Sequence, residues 1–180
     1  MIETEIKFKI ADAVPIRRKL RSMGARFNGK FFQSNILLDT PDGRLRKSGC
    51  LLRIRSEKGR ALVTFKGKAM KSRFKKRPEA NIAVENAAKI EKIFNLLGFE
   101  KNWAYEKETE YFRLKKAAIT IDKMPAIGYV MEIEASPGEI KKTAKGLGLG
   151  LKEGMKDTYA DIFRQLKKQG KLKGKNWVFR

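Results

Sequence analysis

The sequence predicts an α+β fold in which an antiparallel sheet carries amphipathic helices on its apolar face. Three observations lead there. Several segments alternate apolar and charged residues, several others repeat apolar residues at helical spacing, and turn sequences join consecutive strands. Two arrangements suit that pattern. One is an open sheet with a solvated charged side. The other is a sheet closed into a barrel with its polar faces inward and the helices outside. The helices favour the barrel, since each needs an apolar surface to sit on.

The first strand is MIETEIKFKI, with Ile2, Thr4, Ile6, Phe8 and Ile10 on one face and Glu3, Glu5, Lys7 and Lys9 on the other. A first helix fits Asp12 to about Met23, with Asp12 as N-cap and Ile16, Leu20 and Met23 on one side. FFQSNILLDT is extended and runs into PDGR, a Pro turn in which Pro41 is flanked by Asp39 and Asp42 as turn residues. CLLRIRSE and ALVTFKGK form a hairpin about Lys58-Gly59, and RFKKRPEANIAVE is again extended. A second helix fits Asn86 to Leu97 and stops at Gly98. YEKETEYFRL, AAITIDK and YVMEIEA form a second antiparallel set, preceded by Trp103 as a loop anchor. A third helix begins at SPGE, where Ser136 and Glu139 have capping-box spacing, and ends near Gly146 or Gly148. A fourth begins around Asp157 and turns Tyr159, Ile162, Phe163 and Leu166 inward. Residues 1–168 read as one domain, and residues 169–180 as a basic tail that frays.

Composition narrows the chemistry. The chain has 180 residues, 42 Lys+Arg against 20 Asp+Glu, and a net charge of +22, which calls for a polyanionic partner: nucleic acid, an acidic membrane surface or a small, highly charged anion. There is no histidine, so Ser-His and Cys-His catalysis and histidine-ligated zinc are excluded. Any metal must be held by oxygen, which favours Mg²⁺, Mn²⁺ or Ca²⁺. The single cysteine, Cys50, forms no internal disulfide and reads as a small strand residue in a protein of a reducing compartment. With no membrane span or signal peptide in view, a cytoplasmic location is expected.

The inward-facing candidates are the acids Glu3, Glu5, Glu79, Asp122, Glu132 and Glu134 and the bases Lys7, Lys9, Arg53, Arg55, Lys66, Arg77 and Lys107. Carboxylates at i and i+2 of a strand point the same way, roughly 7 Å apart. Two such pairs from different strands can share divalent ions. Neighbouring cations can hold polyphosphate oxygens, arginine bidentately.

ETEIK, LLDTPDGRL followed by LLRIR, TFKG, RPEAN, ITID, IGYVMEIE and KDTYADIF, in that order, resemble the motifs of the CYTH superfamily, the triphosphate tunnel metalloenzymes. RPEAN is closest to the class IV adenylyl cyclase branch. The resemblance implies an eight-stranded antiparallel tunnel and a reaction on a triphosphate that depends on Mg²⁺ or Mn²⁺. It implies metal ligands at Glu3, Glu5, Asp122, Glu132 and Glu134. Phosphate contacts map onto Lys7, Arg53, Arg55, Lys66, Lys107 and the late Lys156, with Lys9 and Arg77 added by strand parity. Glu5, Lys7 and Glu79 are the expected catalytic groups. Leu37 stands where many members have Tyr, Asn81 where many have Glu, and Thr109 where Arg is usual; Arg113 shares the parity of Thr109 and could substitute. These departures tilt the expectation towards conversion of ATP to cyclic AMP and pyrophosphate, with triphosphate hydrolysis as the alternative. A non-catalytic RNA- or polyphosphate-binding module is a third reading, disfavoured by the inward acids. The resemblance also allows a homodimer formed through the barrel exterior.

Overall fold

In a computed structural model that describes residues 2–179, eight strands close into an antiparallel barrel in the order β1-β5-β4-β3-β2-β6-β7-β8. The strands are β1 (Ile2–Ile10), β2 (Arg26–Asp39), β3 (Leu51–Glu57), β4 (Arg60–Lys66), β5 (Lys75–Val84), β6 (Glu100–Leu114), β7 (Ala117–Met124) and β8 (Gly128–Glu134). The helices α1 (Ala13–Ser22), α2 (Arg44–Lys47), α3 (Ala87–Leu96), α4 (Pro137–Leu147) and α5 (Tyr159–Lys168) lie outside. The closed form, not the open sheet, is therefore the one adopted. None of the described helices is long and apolar enough to cross a membrane.

Local signals set the helix ends. Asp12, Asn86 and Ser136 accept hydrogen bonds from backbone N–H groups of the first turns of α1, α3 and α4, and Gly148 ends α4 at φ 75°. Thr158 and Asp161 form a reciprocal capping box on α5. Lys58 and Gly59 both take positive φ, as a two-residue hairpin turn between twisted strands requires.

The buried apolar residues form three clusters, two of them on the outward faces of the strands. Ile6, Phe8, Ile119, Ile121, Met131 and Ile133 lie under Leu20 of α1 and Ile140 and Ala144 of α4. Leu52, Ile54 and Val63 lie under Ile90 and Phe94 of α3. The third cluster joins Leu37, Trp103 and Tyr105 to Tyr159, Phe163 and Leu166 of α5. Burying one such Leu, Ile or Phe contributes about 1.5–3 kcal/mol, so helices and barrel stabilise each other.

Three features differ from the sequence reading. PDGR does not simply turn. It leads into α2, because the buried Asp39 carboxylate accepts the N–H groups of Leu45 (2.8 Å) and Arg46 (3.1 Å). β2 and β6 begin earlier than their apolar runs suggest, since they pair with each other from Arg26↔Arg113 to Asp39↔Glu100, with irregularities at Phe27/Gly29 and Leu37/Leu38. The described end of the chain does not fray. Trp177 is fully buried, its backbone pairs beside Tyr105, and its Nε1 donates to Pro125 O at 2.7 Å. An aromatic ring with both its apolar area and its N–H satisfied is a strong anchor.

Candidate active site

Strand alternation fills the barrel with charge. Glu3, Glu5 and Lys7 from β1 and Lys75, Arg77, Glu79 and Asn81 from β5 line a cavity of about 370 Å³. Lys66, Arg53 and Arg55 reach it from β4 and β3, and Gln33 and Leu37 from β2. Tyr105, Lys107, Thr109, Tyr111 and Arg113 come from β6, Thr120 from β7, and Glu132 and Glu134 from β8. Thr158, Tyr159 and Ala160 border it where α5 begins.

The acids are concentrated where β1 meets β5 and β8. Cross-strand pairing sets Glu5 opposite Glu134, Lys7 opposite Glu132, Glu3 opposite Arg77 and Glu5 opposite Lys75. Lys7 Nζ lies 2.6 Å from Glu5 and 3.3 Å from Glu132. Lys75 Nζ lies 2.7 Å from Glu5, and Lys66 Nζ lies 2.6 Å from both Glu3 and Glu79.

These contacts separate the acids electrostatically. Burial and the neighbouring Glu5 push Glu3 up to about 7, and the same two causes raise Glu134. Burial would raise Glu5 as well, but Lys7 and Lys75 override it and hold the carboxyl well below its usual range. Burial also opposes the ionisation of Glu79, yet hydrogen bonding from Glu3 and the charge of Lys66 lower it to about 2. Lys75 falls to about 8 through burial and the charge of Lys7. Lys7 is raised despite its burial, because Glu132 and Glu5 flank it.

The remaining cations are held for anion contact or for structure. Arg53 reaches Tyr105 Oη at 3.4 Å and Thr64 Oγ1 at 3.3 Å, and its buried Nε has no hydrogen-bond partner among the described residues. Arg55 donates to Asn35 Oδ1 at 3.3 Å. An orphaned guanidinium N–H in a cavity suits an anionic oxygen. Arg77 instead donates to the carbonyls of Gly67 (2.8 Å), Lys66 (3.1 Å) and Gly49 (3.2 Å), clamping β4 to the turn before β3.

Four sequence candidates sit differently from the rest. Asp122 is fully buried behind the wall, where its carboxylate accepts from Lys107 (2.7 Å), Thr109 (2.7 Å) and Tyr159 (2.5 Å). Lys9 is exposed outside the cavity lining. Lys156 also lies outside it, with Nζ on Ser72 O at 2.6 Å. Arg113 lines the cavity but is exposed, four residues along β6 from Thr109.

Other lining residues escaped the sequence reading. Lys75 shares the parity of Arg77 and Glu79, and that parity could have revealed it. Tyr159 reads as helix core, yet its ring lies 5.6 Å from Lys7 Nζ and 5.0 Å from Lys107 Nζ while its hydroxyl donates to Asp122. Gln33 and Tyr111 both donate to Glu57, at 2.8 Å and 2.5 Å, a network no local pattern reveals.

The donor chemistry fits a hard divalent cation, since Glu3, Glu5, Glu132 and Glu134 offer carboxylate oxygens in a partly dry site. Glu3 and Glu134 are raised first by burial and then by the charge of Glu5, and a divalent ion favours the charged form of both. Among the described residues no three acids converge on one point, and lysines pair with Glu3 and Glu5.

The family model for the CYTH domain matches residues 1–172. The chain belongs to the CYTH domain family. A Methanocaldococcus jannaschii protein, named as a candidate adenylate cyclase, is 33% identical over 147 residues, covering 82% of this chain and 84% of its own. Among the solved structures similar to this chain, two share its barrel fold. One, from Vibrio parahaemolyticus and also named as a candidate adenylate cyclase, has a TM-score of 0.81 at 16% identity, covering 91% of this chain and 98% of its own. The other, from Hippeastrum, is a candidate adenylyl cyclase described as having a dominant triphosphatase activity. Its TM-score is 0.67 at 16% identity, covering 95% of this chain and 97% of its own.

Proposed function

We propose that this CYTH protein is a divalent-metal-dependent enzyme that binds a triphosphate inside the barrel and, as a class IV adenylyl cyclase, converts ATP to cyclic AMP and pyrophosphate. The observation that carries the reading is the interleaving of acids and cations on one inward surface: Glu3 and Glu5 beside Glu132 and Glu134, with Lys7, Lys66 and Lys75 between them. A simple polyanion binder has no use for those acids.

In this reading Glu3, Glu5, Glu132 and Glu134 hold Mg²⁺ or Mn²⁺, with Asp122 orienting Lys107 and Tyr159 behind them. The metal supplies charge neutralisation for the triphosphate and for the oxygen that attacks it. Lys7, Lys66 and Lys75, which neutralise the carboxylates in the ligand-free protein, move onto phosphate oxygens. Arg53, Arg55 and Lys107 complete the phosphate contacts and stabilise charge on the departing pyrophosphate. The ribose 3′-oxygen bonds to the α-phosphorus as the bond to the β-phosphate oxygen breaks. Glu79 lines the cavity beside Lys66 and is placed near the attacking oxygen in this reading.

The name of the M. jannaschii relative and the RPEAN segment support the cyclase reading. The description of the Hippeastrum protein supports a second reading, in which water attacks the terminal phosphate within the same site. Incubation with ATP, and separately with tripolyphosphate, plus Mg²⁺ or Mn²⁺, tests both. Cyclic AMP with pyrophosphate supports the first, and orthophosphate release the second. No turnover of either compound overturns the enzymatic reading.

A further inference from the structure

Residues 162–179 carry six Lys+Arg and no Asp or Glu. Arg164, Lys167 and Lys168 lie on α5, and Lys171, Lys173 and Lys175 follow it, all of them exposed. The dipole of α5 accounts for Lys167 and Lys168 at its C-terminal end, not for the three lysines beyond it. Lys173 and Lys175 also lie beyond residues 1–172, which the family model matches.

This strap is tied at both ends. Lys171 N donates to Leu166 O at 3.0 Å. Asn176 Oδ1 accepts from Ala104 N at 2.9 Å, and Trp177 N donates to Ala104 O at 2.8 Å. A free tail would let like charges spread apart, whereas these anchors hold them together.

Lys167 and Lys175 share a groove of about 440 Å³ with Arg46, Lys101 and Arg164. None of these five is among the described residues that line the barrel. Two acids border the groove, Glu100 and Asp39, and Asp39 is engaged in capping α2. Arg164 pairs with Asp161 on its own helix. Trp103 and Phe163 also line the groove, but their rings are stacked on each other at 4.5 Å.

Such a surface calls for a polyanion. A membrane is a poor match, because a helix that lies on a bilayer inserts apolar side chains. Here Tyr159, Phe163, Leu166 and Trp177 are all buried against the barrel. A flexible chain of regularly spaced phosphates can instead follow the strap into the groove. The groove has the volume of a small-molecule site, ~300–1,000 Å³, which admits a single strand and not a duplex. With the aromatic rings already stacked, cations supply the contact.

We propose that the strap and groove dock a single strand of nucleic acid through its phosphates, outside the barrel and without reading its bases.

Fluorescence anisotropy tests this with 5′-hydroxyl oligonucleotides of about 12 residues, which offer no triphosphate to the barrel. Oligo(U) and oligo(dT) are expected to bind alike, with a log–log salt slope of about −4, about 0.7 for each phosphate neutralised. The combined variant Lys167→Gln, Lys171→Gln, Lys173→Gln and Lys175→Gln is expected to weaken binding at least about thirtyfold and to flatten the slope by about 2.8. The combined variant Arg18→Gln, Lys141→Gln, Lys142→Gln and Lys145→Gln removes as much charge from exposed positions on α1 and α4. It is expected to leave affinity within about twofold, because salt screens distant charges. Matching thermal melts of the two variants exclude misfolding as the cause. Equal weakening by both variants would mean that net charge alone binds the strand, and would overturn the assignment. So would the absence of binding to either oligonucleotide, or tighter binding of a duplex of equal length. Strap-dependent binding to phosphatidylserine vesicles without oligonucleotide binding would overturn it in favour of a membrane surface.

Discussion

Glu5 and Glu134 face each other directly across the β1–β8 ladder, but of the two, among the described residues, only Glu5 has lysine nitrogens in salt-bridge contact, Lys7 at 2.6 Å and Lys75 at 2.7 Å. Glu5 is accordingly driven towards ionisation, while Glu134 is pushed the other way by burial and by Glu5. The pair therefore combines one carboxylate that the fold stabilises with one that it merely tolerates.

That asymmetry separates activity from stability. Glu134→Gln removes a charge the ligand-free protein holds at a cost, so its Tm is expected to stay level or rise. As a proposed metal ligand, its loss is expected to lower kcat/KM at least about 100-fold. Glu5→Gln is expected to lose activity similarly but also to lower Tm, because it takes the carboxylate from the buried Lys75 and leaves the buried Lys7 with Glu132 alone. Calorimetry and steady-state kinetics on both variants check this, and a Glu134→Gln protein of full activity would remove that residue from the site.

Two acids shift in opposite directions, so stability against pH has a calculable shape. Glu3 is raised from 4.5 to about 7, so its proton stabilises the metal-free native state below about 4.5, and that contribution is lost as pH rises towards 7. Glu79 is lowered from 4.5 to about 2, so its contribution is present above about 4.5 and is lost as pH falls towards 2. Thermal melts of the metal-free protein should show the neutral-side loss disappear in Glu3→Gln and the acid-side loss shrink in Glu79→Gln.

Arg53 presents an orphaned Nε inside the barrel. Arg53→Lys keeps the charge but loses the planar fork, so KM for the triphosphate is expected to rise about tenfold with a smaller change in kcat. An unchanged KM would show that the guanidinium geometry is not used. Binding of the triphosphate measured by calorimetry supplies the same comparison without turnover.

Trp177 lies beyond the residues matched by the family model, yet it is fully buried beside Tyr159 and Phe163. Trp177→Ala is expected to destabilise the fold by about 3–5 kcal/mol, as large aromatic truncations in cores do. Urea unfolding monitored by far-UV circular dichroism measures it. A loss below 1 kcal/mol, within the range of a surface change, would mean that the anchor is dispensable.

Much of this architecture is written locally. Asp12, Asn86 and Ser136 cap helices because an oxygen side chain beside an apolar stripe suffices, and strand parity alone sorts Arg53 and Arg55 from Leu52 and Ile54. Where partners lie far apart in the chain, local pattern fails. Asp39 reads as a turn residue because its capping of α2 depends on being buried. Trp177 reads as frayed because its pocket is made by Ala104, Pro125 and α5. Tyr159 reads as core because periodicity reports which face turns inward and is silent on a hydroxyl reaching Asp122.

The ladder that sets Glu5 against Glu134 is also the seam that closes the barrel, joining the first strand to the last. Closure must await synthesis of β8, and so many long-range pairings slow folding relative to a helical protein of equal size. The proposed metal-binding acids come together only in that final step. A fragment lacking either end would have neither the tunnel nor the paired carboxylates. Recovery of triphosphate binding during refolding should therefore track formation of the last strand pair, not the earlier appearance of helices.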